Sequence, residues 1–313
     1  MINVLVTSLG SNTAIGVIKA LRNTEGIVIT GTDSFTAQMC AGSSLANFFY
    51  QVPLALDDNY EAELIRIIKQ KAIQCVIPIH DVEVKKIAEL AIKFPDLTFW
   101  AVNNPDIISK CNDKKAINSF LAQHDIVVPE MYPTVESIKF PTLYKPNEGV
   151  SSKGIQIITN VAELNSNLDL NNGFLQRMVK GVEYTVDCYS SYHDDFFNCC
   201  VRKRIETKEG ISTKGETVSF PELASLSKNI HLLLNYKGAS NIQFIIEDGV
   251  PYFIEINPRF SGAGILSYHA GLNSPLFTVL EAIKSPGFNE VKNKPVKTNV
   301  FMTRYWNEKF YEG

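Results

Sequence analysis

A chain of 313 residues, 45% apolar and 20% charged, can fill two or three compact lobes. Its formal charge of −3, with acidic and basic residues interleaved, excludes the basic footprint of nucleic-acid binding and a patch suited to a membrane surface. No apolar run approaches the roughly 20 residues needed to span a bilayer, and Met-Ile-Asn-Val-Leu-Val runs straight into a strand rather than a signal peptide, so the expected location is cytoplasmic.

The first hundred residues alternate strand and helix. Ile2 to Thr7 is a short apolar, β-branched run, and Ala14 to Leu21 carries helical periodicity after a Gly/Ser/Asn turn. Gly26 to Thr32 reads as a second strand ending at Asp33, and Cys75 to Ile79 as a later buried one. An amphipathic helix follows from about Val82 to Phe94, and Leu97 to Val102 closes the series. This alternation predicts a parallel, doubly wound sheet. Asn103 to Pro105 looks like a linker, and a helix is expected over Asp113 to His124.

Beyond it stand Thr142-Leu-Tyr-Lys-Pro, a small-residue loop and a strand from Ile155 to Thr159. Long antiparallel strands are expected over Gly181–Tyr192, Phe196–Ile205 and Ile211–Phe220, then a helix over Glu222–Asn235. Glu247-Asp248-Gly249 marks a hairpin turn. The six cysteines form no C-x-x-C pair and read as reduced, mostly buried thiols, with Cys199 and Cys200 pointing to opposite faces of one strand.

Chemistry concentrates in four stretches. On the strand through Phe253-Ile-Glu-Ile-Asn, alternation places Glu255 and Asn257 on one face with Phe253 nearby, and Gln243 lies across the hairpin. These oxygens suit Mg²⁺, with Mn²⁺ as an alternative. Arg259 follows, where it could neutralise a transferring phosphoryl group. Lys145-Pro-Asn-Glu-Gly-Val-Ser-Ser-Lys-Gly sets a lysine before a loop whose amides can surround phosphate oxygens, although it lacks the P-loop order. In Phe174-Leu-Gln-Arg-Met-Val-Lys-Gly-Val-Glu, the backbone of Gln176, Arg177, Met178 and Val179 could read an adenine edge and Glu183 could accept ribose hydroxyls. In Arg202-Lys-Arg-Ile-Glu-Thr-Lys-Glu-Gly-Ile-Ser-Thr-Lys, Arg204 and Lys214 are the preferred pair for gripping a carboxylate or acyl phosphate.

In order and spacing these segments resemble the ATP-grasp superfamily, in particular its carbamoyl-phosphate synthetase large subunit and biotin carboxylase branch. The resemblance runs from the front domain through Asn112-Asp113-Lys114 to Glu-Ile-Asn-Pro-Arg at 255–259. It implies an α/β chain, α+β in its C-terminal part. A Rossmann-like domain (1–110) is followed by a small lobe with the phosphate loop (111–182) and a C-terminal lobe with the metal site (183–313). By motif position, Lys114 and Lys145 would contact ATP phosphates. Gly149, Ser151, Ser152 and Gly154 would close over them, with the adenine, ribose and metal residues as above.

Arg177 stands where the family often has an acidic residue, and Gln243 is neutral where many relatives carry glutamate. The implied reaction forms an acyl phosphate from a small-molecule carboxylate and passes the acyl group to an amine, in a chain expected to form homodimers. Ser261-Gly-Ala-Gly is expected beside the acceptor. His80, Asp81, Glu83 and His269 are further candidates there, although helix capping by Asp81 and a structural His269 are the plainer readings. Two alternatives remain: a non-catalytic ATP-binding sensor, and a Rossmann-type NAD(P) oxidoreductase using Gly10–Gly16 with Asp33 at the fingerprint distance.

Overall fold

The computed structural model describes residues 1–149, 154–164, 168–305 and 307–311. Its front part contains β1 (Ile2–Val6), α1 (Asn12–Leu21), β2 (Ile27–Asp33), β3 (Phe48–Gln51), α2 (Tyr60–Gln70), β4 (Cys75–Ile77), α3 (Asp81–Lys93) and β5 (Phe99–Trp100). The strands form a parallel sheet in the order β3-β2-β1-β4-β5. Both faces are covered, which is why β1 and β4 read as unbroken apolar runs. Ala14, Val17, Ile18 and Leu21 of α1 pack on one face with Val4, Val6 and Ile77, while Leu64, Ile67 and Ile87 of α2 and α3 pack on the other with Leu5 and Val76. Chain order reverses between β1 and β4, so a crevice opens at their carboxyl ends. The loops after Val6 and Ile77 stand there.

The expected linker is a helix start. Asn104 caps α4 (Pro105–Asn112) by accepting from the Asp106 N–H, and Pro105 occupies its first turn. Asn103 is tied to a distant segment, donating from Nδ2 to the Lys237 carbonyl (2.6 Å) and accepting the Lys237 N–H (2.9 Å). Helix α5 (Lys114–Ala122) begins immediately after, capped by Asp113.

A three-stranded antiparallel sheet follows, built from β6 (Thr142–Pro146), β7 (Gln156–Ile158) and β8 (Gly173–Arg177) in the order β7-β6-β8. The remaining chain supplies β9 (Val182–Ser190), β10 (Phe197–Lys208), β11 (Ile211–Thr217), α6 (Pro221–Leu233), β12 (Gly238–Glu247), β13 (Val250–Asn257), α7 (Ile265–Ala270), α8 (Ser274–Ala282), α9 (Gly287–Val291) and β14 (Phe301–Thr303). Its six strands run antiparallel in the order β13-β12-β9-β10-β11-β14. The turn joining β12 to β13 has positive φ at both Asp248 (51°) and Gly249 (83°), the backbone that Asp-Gly favours in a two-residue hairpin.

Alternation along these strands separates a core face from an open one. Val186, Val201, Ile242 and Phe244 bury themselves with Ile117, Leu121, Leu223 and Ile230 of α5 and α6. Their neighbours Thr185, Arg202, Asn241 and Gln243 face the opposite way, into a cleft. Phe260, Tyr268 and Val279 join the core of the front sheet, so the chain after β13 crosses back to α1 and places the loop at Ser261 beside the crevice. All six cysteines are free; Cys199 packs toward the α6 side and Cys200 into the cluster with Tyr189 and Phe277 on the other. Among the described residues, no helix is long and apolar enough to cross a membrane.

Candidate active site

The cleft, about 430 Å³ in volume, is walled by the small lobe, the open face of the six-stranded sheet and the carboxyl edge of the front sheet. Lys114, Lys145, Glu183, Gln243, Glu255, Asn257 and Arg259 all line it. Residues spread over 146 positions, from Lys114 to Arg259, thus share one cavity.

The metal candidates lie where the hairpin register puts them. Gln243 pairs with Glu255 and Asn241 with Asn257. Gln243 Nε2 (2.7 Å) and Asn257 Nδ2 (3.0 Å) both donate to Glu255 Oε1. The expectation for Phe253 is corrected: a bulge follows Gln243, so Phe244 pairs with Phe253 and leaves Ile254 as the extra residue. The bulge reverses the alternation. Phe253 therefore enters the core, while Ile254 lines the cleft with Glu255.

Among the described residues, no group of three or more His, Cys, Asp and Glu side chains could hold a metal ion. One carboxylate with two amides suits a hard divalent cation that takes its remaining ligands from phosphate and water. Gln243 Oε1 accepts from Arg204 Nη1 (2.7 Å), so its use as a ligand requires the amide to turn.

Lys145, the fourth residue of β6, is 5% exposed. Burial pushes its ammonium pKa down to about 8; Glu255 opposes that fall and Lys114 adds to it. The two lysines and the Glu255 carboxylate therefore feel one another's charge, as a triphosphate site requires. Lys114 Nζ donates to the Gly149 carbonyl (2.7 Å) at the start of the glycine/serine loop. Gly149 and Gly154 both have positive φ (149° and 79°), a backbone that favours glycine. Ser151 and Ser152 lie outside the described residues.

The adenine segment is shaped by Glu247. Its Oε1 accepts the Lys180 N–H (2.7 Å) and its Oε2 accepts from Arg177 Nη2 (2.5 Å). The Arg177 guanidinium also stands 4.9 Å from the Tyr252 ring, at the hairpin end, and the residue lines the cleft. The Arg177 N–H is taken by the Glu130 carbonyl. Among the described residues the main chain of Met178 and Val179 between them makes no hydrogen bond. Val179 lines the cleft and Met178 does not. Buried Gln176 Oε1 is also without a partner, although the Gln176 amide nitrogen is held by Asn118 Oδ1 (3.2 Å) and the Pro129 carbonyl (3.1 Å). Unspent amides and an orphaned acceptor fit a purine edge carrying both an acceptor nitrogen and an amino group.

The carboxylate grip needs correction. Arg204 lines the cleft, but Lys214 does not. Lys214 is half exposed and pairs with Glu206 at 2.8 Å on the outer part of the β10–β11 hairpin. The cause is register: irregularities after Arg204 and Glu206 set Glu206 directly opposite Lys214. Arg204 is itself engaged, donating from Nη2 to the Gly210 carbonyl (2.8 Å), with Nε 3.3 Å from Glu183. Burial lowers its pKa. The Glu183 carboxylate named for ribose thus has a protein partner at the cleft wall.

The front sheet contributes Ser11, Thr13, His80 and Asp81. His80, not Asp81, caps α3, with Nδ1 accepting from the Val82 N–H. Asp81 Oδ1 instead accepts from Arg259 Nε at 2.8 Å. Glu83 turns inward and accepts from Thr7 Oγ1 (2.7 Å), Tyr60 (3.0 Å) and the Ser8 hydroxyl, so it does not meet an acceptor. His269 is exposed and outside the cleft lining, whereas Ser261, Gly262 and Ala263 line it as expected. The nicotinamide alternative loses its anchor: buried Asp33 accepts the N–H groups of Gly10 (2.8 Å) and Phe35 (3.0 Å).

Residues 111–263 match the family described as ATP-grasp domain, and residues 4–99 match the PylC-like, N-terminal domain. Residues 111–263 are therefore an ATP-grasp domain. The carbamoyl phosphate synthase large chain of Thermomicrobium roseum is 23% identical over 184 residues, which cover 50% of this chain and 17% of the synthase. A D-alanine–D-alanine ligase of Bacillus anthracis is 22% identical over 218 residues, 57% of this chain and 70% of the ligase. The chain thus spans under a fifth of the synthase and 70% of the ligase.

Solved structures share the fold. The biotin carboxylase domain of Hydrogenobacter thermophilus 2-oxoglutarate carboxylase, in complex with MgADP, ADP and bicarbonate, has a TM-score of 0.73 at 16% identity, covering 90% of this chain and 69% of that one. The L-amino acid ligase of Bacillus licheniformis has a TM-score of 0.72 at 15% identity, covering 95% and 78%.

Proposed function

We propose that this ATP-grasp protein is an ATP- and Mg²⁺-dependent ligase that joins a small-molecule carboxylate to an amine through an acyl phosphate. One observation carries the reading: Lys145 lies buried in the cleft under the charge of both Lys114 and Glu255. Cations and a metal-ligand carboxylate gathered at one point match the needs of a triphosphate.

In this reading Lys114, Lys145 and the loop from Gly149 to Gly154 hold the phosphates. The amides of Met178 and Val179 hold adenine, and Glu183 holds ribose. Glu255, Asn257 and Gln243 hold the divalent ion, which when bound neutralises phosphate charge and draws the transferring group into line. Residues 1–110 shape the substrate end, 111–182 the phosphate lobe and 183–313 the metal wall. The substrate carboxylate oxygen attacks the γ-phosphorus and ADP departs; the amine nitrogen then attacks the acyl carbon, phosphate leaves and the nitrogen loses its proton. No side chain becomes covalently attached. The protein contributes positioning and charge, with Arg259 beside the phosphates.

The test is ADP and phosphate release against paired panels of small carboxylates and amines. Stoichiometric ADP and phosphate with a new amide support the reading. ATP binding by calorimetry with no ADP formed across the panels instead identifies a nucleotide sensor.

A further inference from the structure

Arg202 and Arg204 stand two residues apart on β10, so their side chains share the cleft face. They differ in what remains for a ligand. Arg204 has both terminal nitrogens taken, Nη1 by Gln243 and Nη2 by the Gly210 carbonyl, while its buried Nε lies 3.3 Å from the Glu183 carboxylate and makes no hydrogen bond among the described residues. Arg202 is 1% exposed and fixed along one edge: Nε and Nη2 donate to the two oxygens of Asp187 (2.8 and 2.9 Å), and Nη2 also donates to Ser261 Oγ (2.9 Å). Asp187 is held in turn by Ser267 Oγ at 2.5 Å. Arg202 Nη1 makes no hydrogen bond among the described residues, although the residue lines the cleft.

Arg202 Nη1 opens on the cleft, where an acceptor bound in the cavity can complete the guanidinium. Position says what that is. Ser261 belongs to the loop beyond Arg259, beside the front-sheet edge, at the end of the cleft away from the Met178–Val179 segment proposed for adenine. Asp187 neutralises most of the charge, so Arg202 is a fixed directional donor rather than a general attractor of phosphate. A carboxylate oxygen is the matching acceptor.

We infer that Arg202 binds the carboxylate of the small-molecule substrate, and that Asp187, Ser261 and Ser267 are the residues that position it. The inference rests on the ligase reading above and reassigns the grip from Lys214 and Arg204 to Arg202.

The experiment measures KM for ATP and for the carboxylate separately, with glycine, D-alanine, L-alanine, L-glutamate and acetate as the carboxylate panel. Lysine keeps a charge for Asp187 but cannot also present a second nitrogen to the cleft, so Arg202→Lys should raise the carboxylate KM by about tenfold or more while the ATP KM stays within about twofold. Ser261→Ala, which removes one hydrogen bond and leaves the ion pair, should raise the carboxylate KM by about threefold. If Arg202→Lys does not fold, Ser261→Ala decides by the same split. An unchanged carboxylate KM in the folded variant, or an equal rise in both KM values, overturns the inference. Wild-type protein that releases no ADP with any of the panel overturns the ligase reading itself.

Discussion

Asp81 and Arg259, 178 positions apart, meet at 2.8 Å across the boundary between the front sheet and the β12–β13 hairpin. Both are partly buried. Arg259 also donates from Nη2 to Asn257 Oδ1 (3.4 Å) and from Nη1 to the Phe260 carbonyl (3.2 Å). The pair therefore sets the position of a cation proposed to face the phosphates. Asp81→Asn removes the charge and keeps the shape. It should lower kcat by about 10- to 100-fold, the rate equivalent of one charge-assisted hydrogen bond worth ~1.5–3 kcal/mol. Initial rates at saturating ATP check this, and an unaltered kcat removes Arg259 positioning from the role of Asp81.

Lys145 gives a prediction for pH. With its pKa pushed down to about 8 by burial, free enzyme loses this positive charge as pH rises through that value. kcat/KM for ATP should then fall on a basic limb centred near 8. The limb should be weaker in kcat, because bound phosphate holds the proton on. Stability moves the other way. The folded pKa lies below the unfolded value of about 10.4, so the unfolded chain carries more protons between the two and stability rises with pH across that window. Lys145→Arg, charged throughout, should erase the limb; its survival in that variant assigns the titration elsewhere.

Much of this site is local in sequence. Glu255 and Asn257 share a face because strands alternate, and Asp248-Gly249 fixes the hairpin that brings Gln243 opposite. Three features were not legible. The bulge at Ile254 is a one-residue excess that no composition signals, and it sends Phe253 to the core. Irregular pairing between β10 and β11 turned Lys214 toward Glu206; nothing in the run of basic residues from Arg202 to Lys214 marks Arg202 as buried and Lys214 as exposed. The partners of Arg202 and Arg259 come from distant elements, so only folding reveals them. A cue for Arg202 did exist: Asp187 lies mid-strand among apolar residues, where a buried carboxylate needs a cation.

The single carboxylate of the proposed metal set makes it dependent on phosphate ligands. Glu255→Ala should abolish Mg²⁺-dependent turnover, while Gln243→Glu should lower the Mg²⁺ concentration giving half-maximal rate by about threefold or more, because a second charge joins the site. A Mg²⁺ titration of ADP release reads both. Normal Mg²⁺-dependent turnover in Glu255→Ala would falsify the metal assignment.

Lys214 and Arg204 form a contrasting pair. Among the described residues the Lys214 side chain pairs only with exposed Glu206, and such solvent-screened pairs contribute little. Lys214→Ala should leave kcat within about twofold and the denaturant midpoint of unfolding unchanged. Arg204→Ala strips Gln243 and Glu183 of a shared partner, and should lower kcat/KM for ATP by about tenfold or more. Equal losses in the two variants would return Lys214 to the site.

His231 supplies a prediction that needs no substrate. It is buried between Ser190 and Ser240, each hydroxyl 2.7 Å from one ring nitrogen. Burial pushes its pKa down to about 3, so the folded protein keeps the ring neutral while the unfolded chain protonates near 6.5. The unfolded state binds the extra proton in between, so this residue's contribution to stability is complete above about pH 6.5 and is lost as pH falls, by up to ~1.4 kcal/mol per pH unit. Denaturant unfolding of wild type and His231→Gln between pH 7 and 5 isolates the effect, since glutamine can bridge the same hydroxyls without titrating. The variant's stability should fall less steeply over that interval, by the equivalent of about one proton. Parallel pH dependences in the two proteins would mean that the ring gains its proton without leaving the fold.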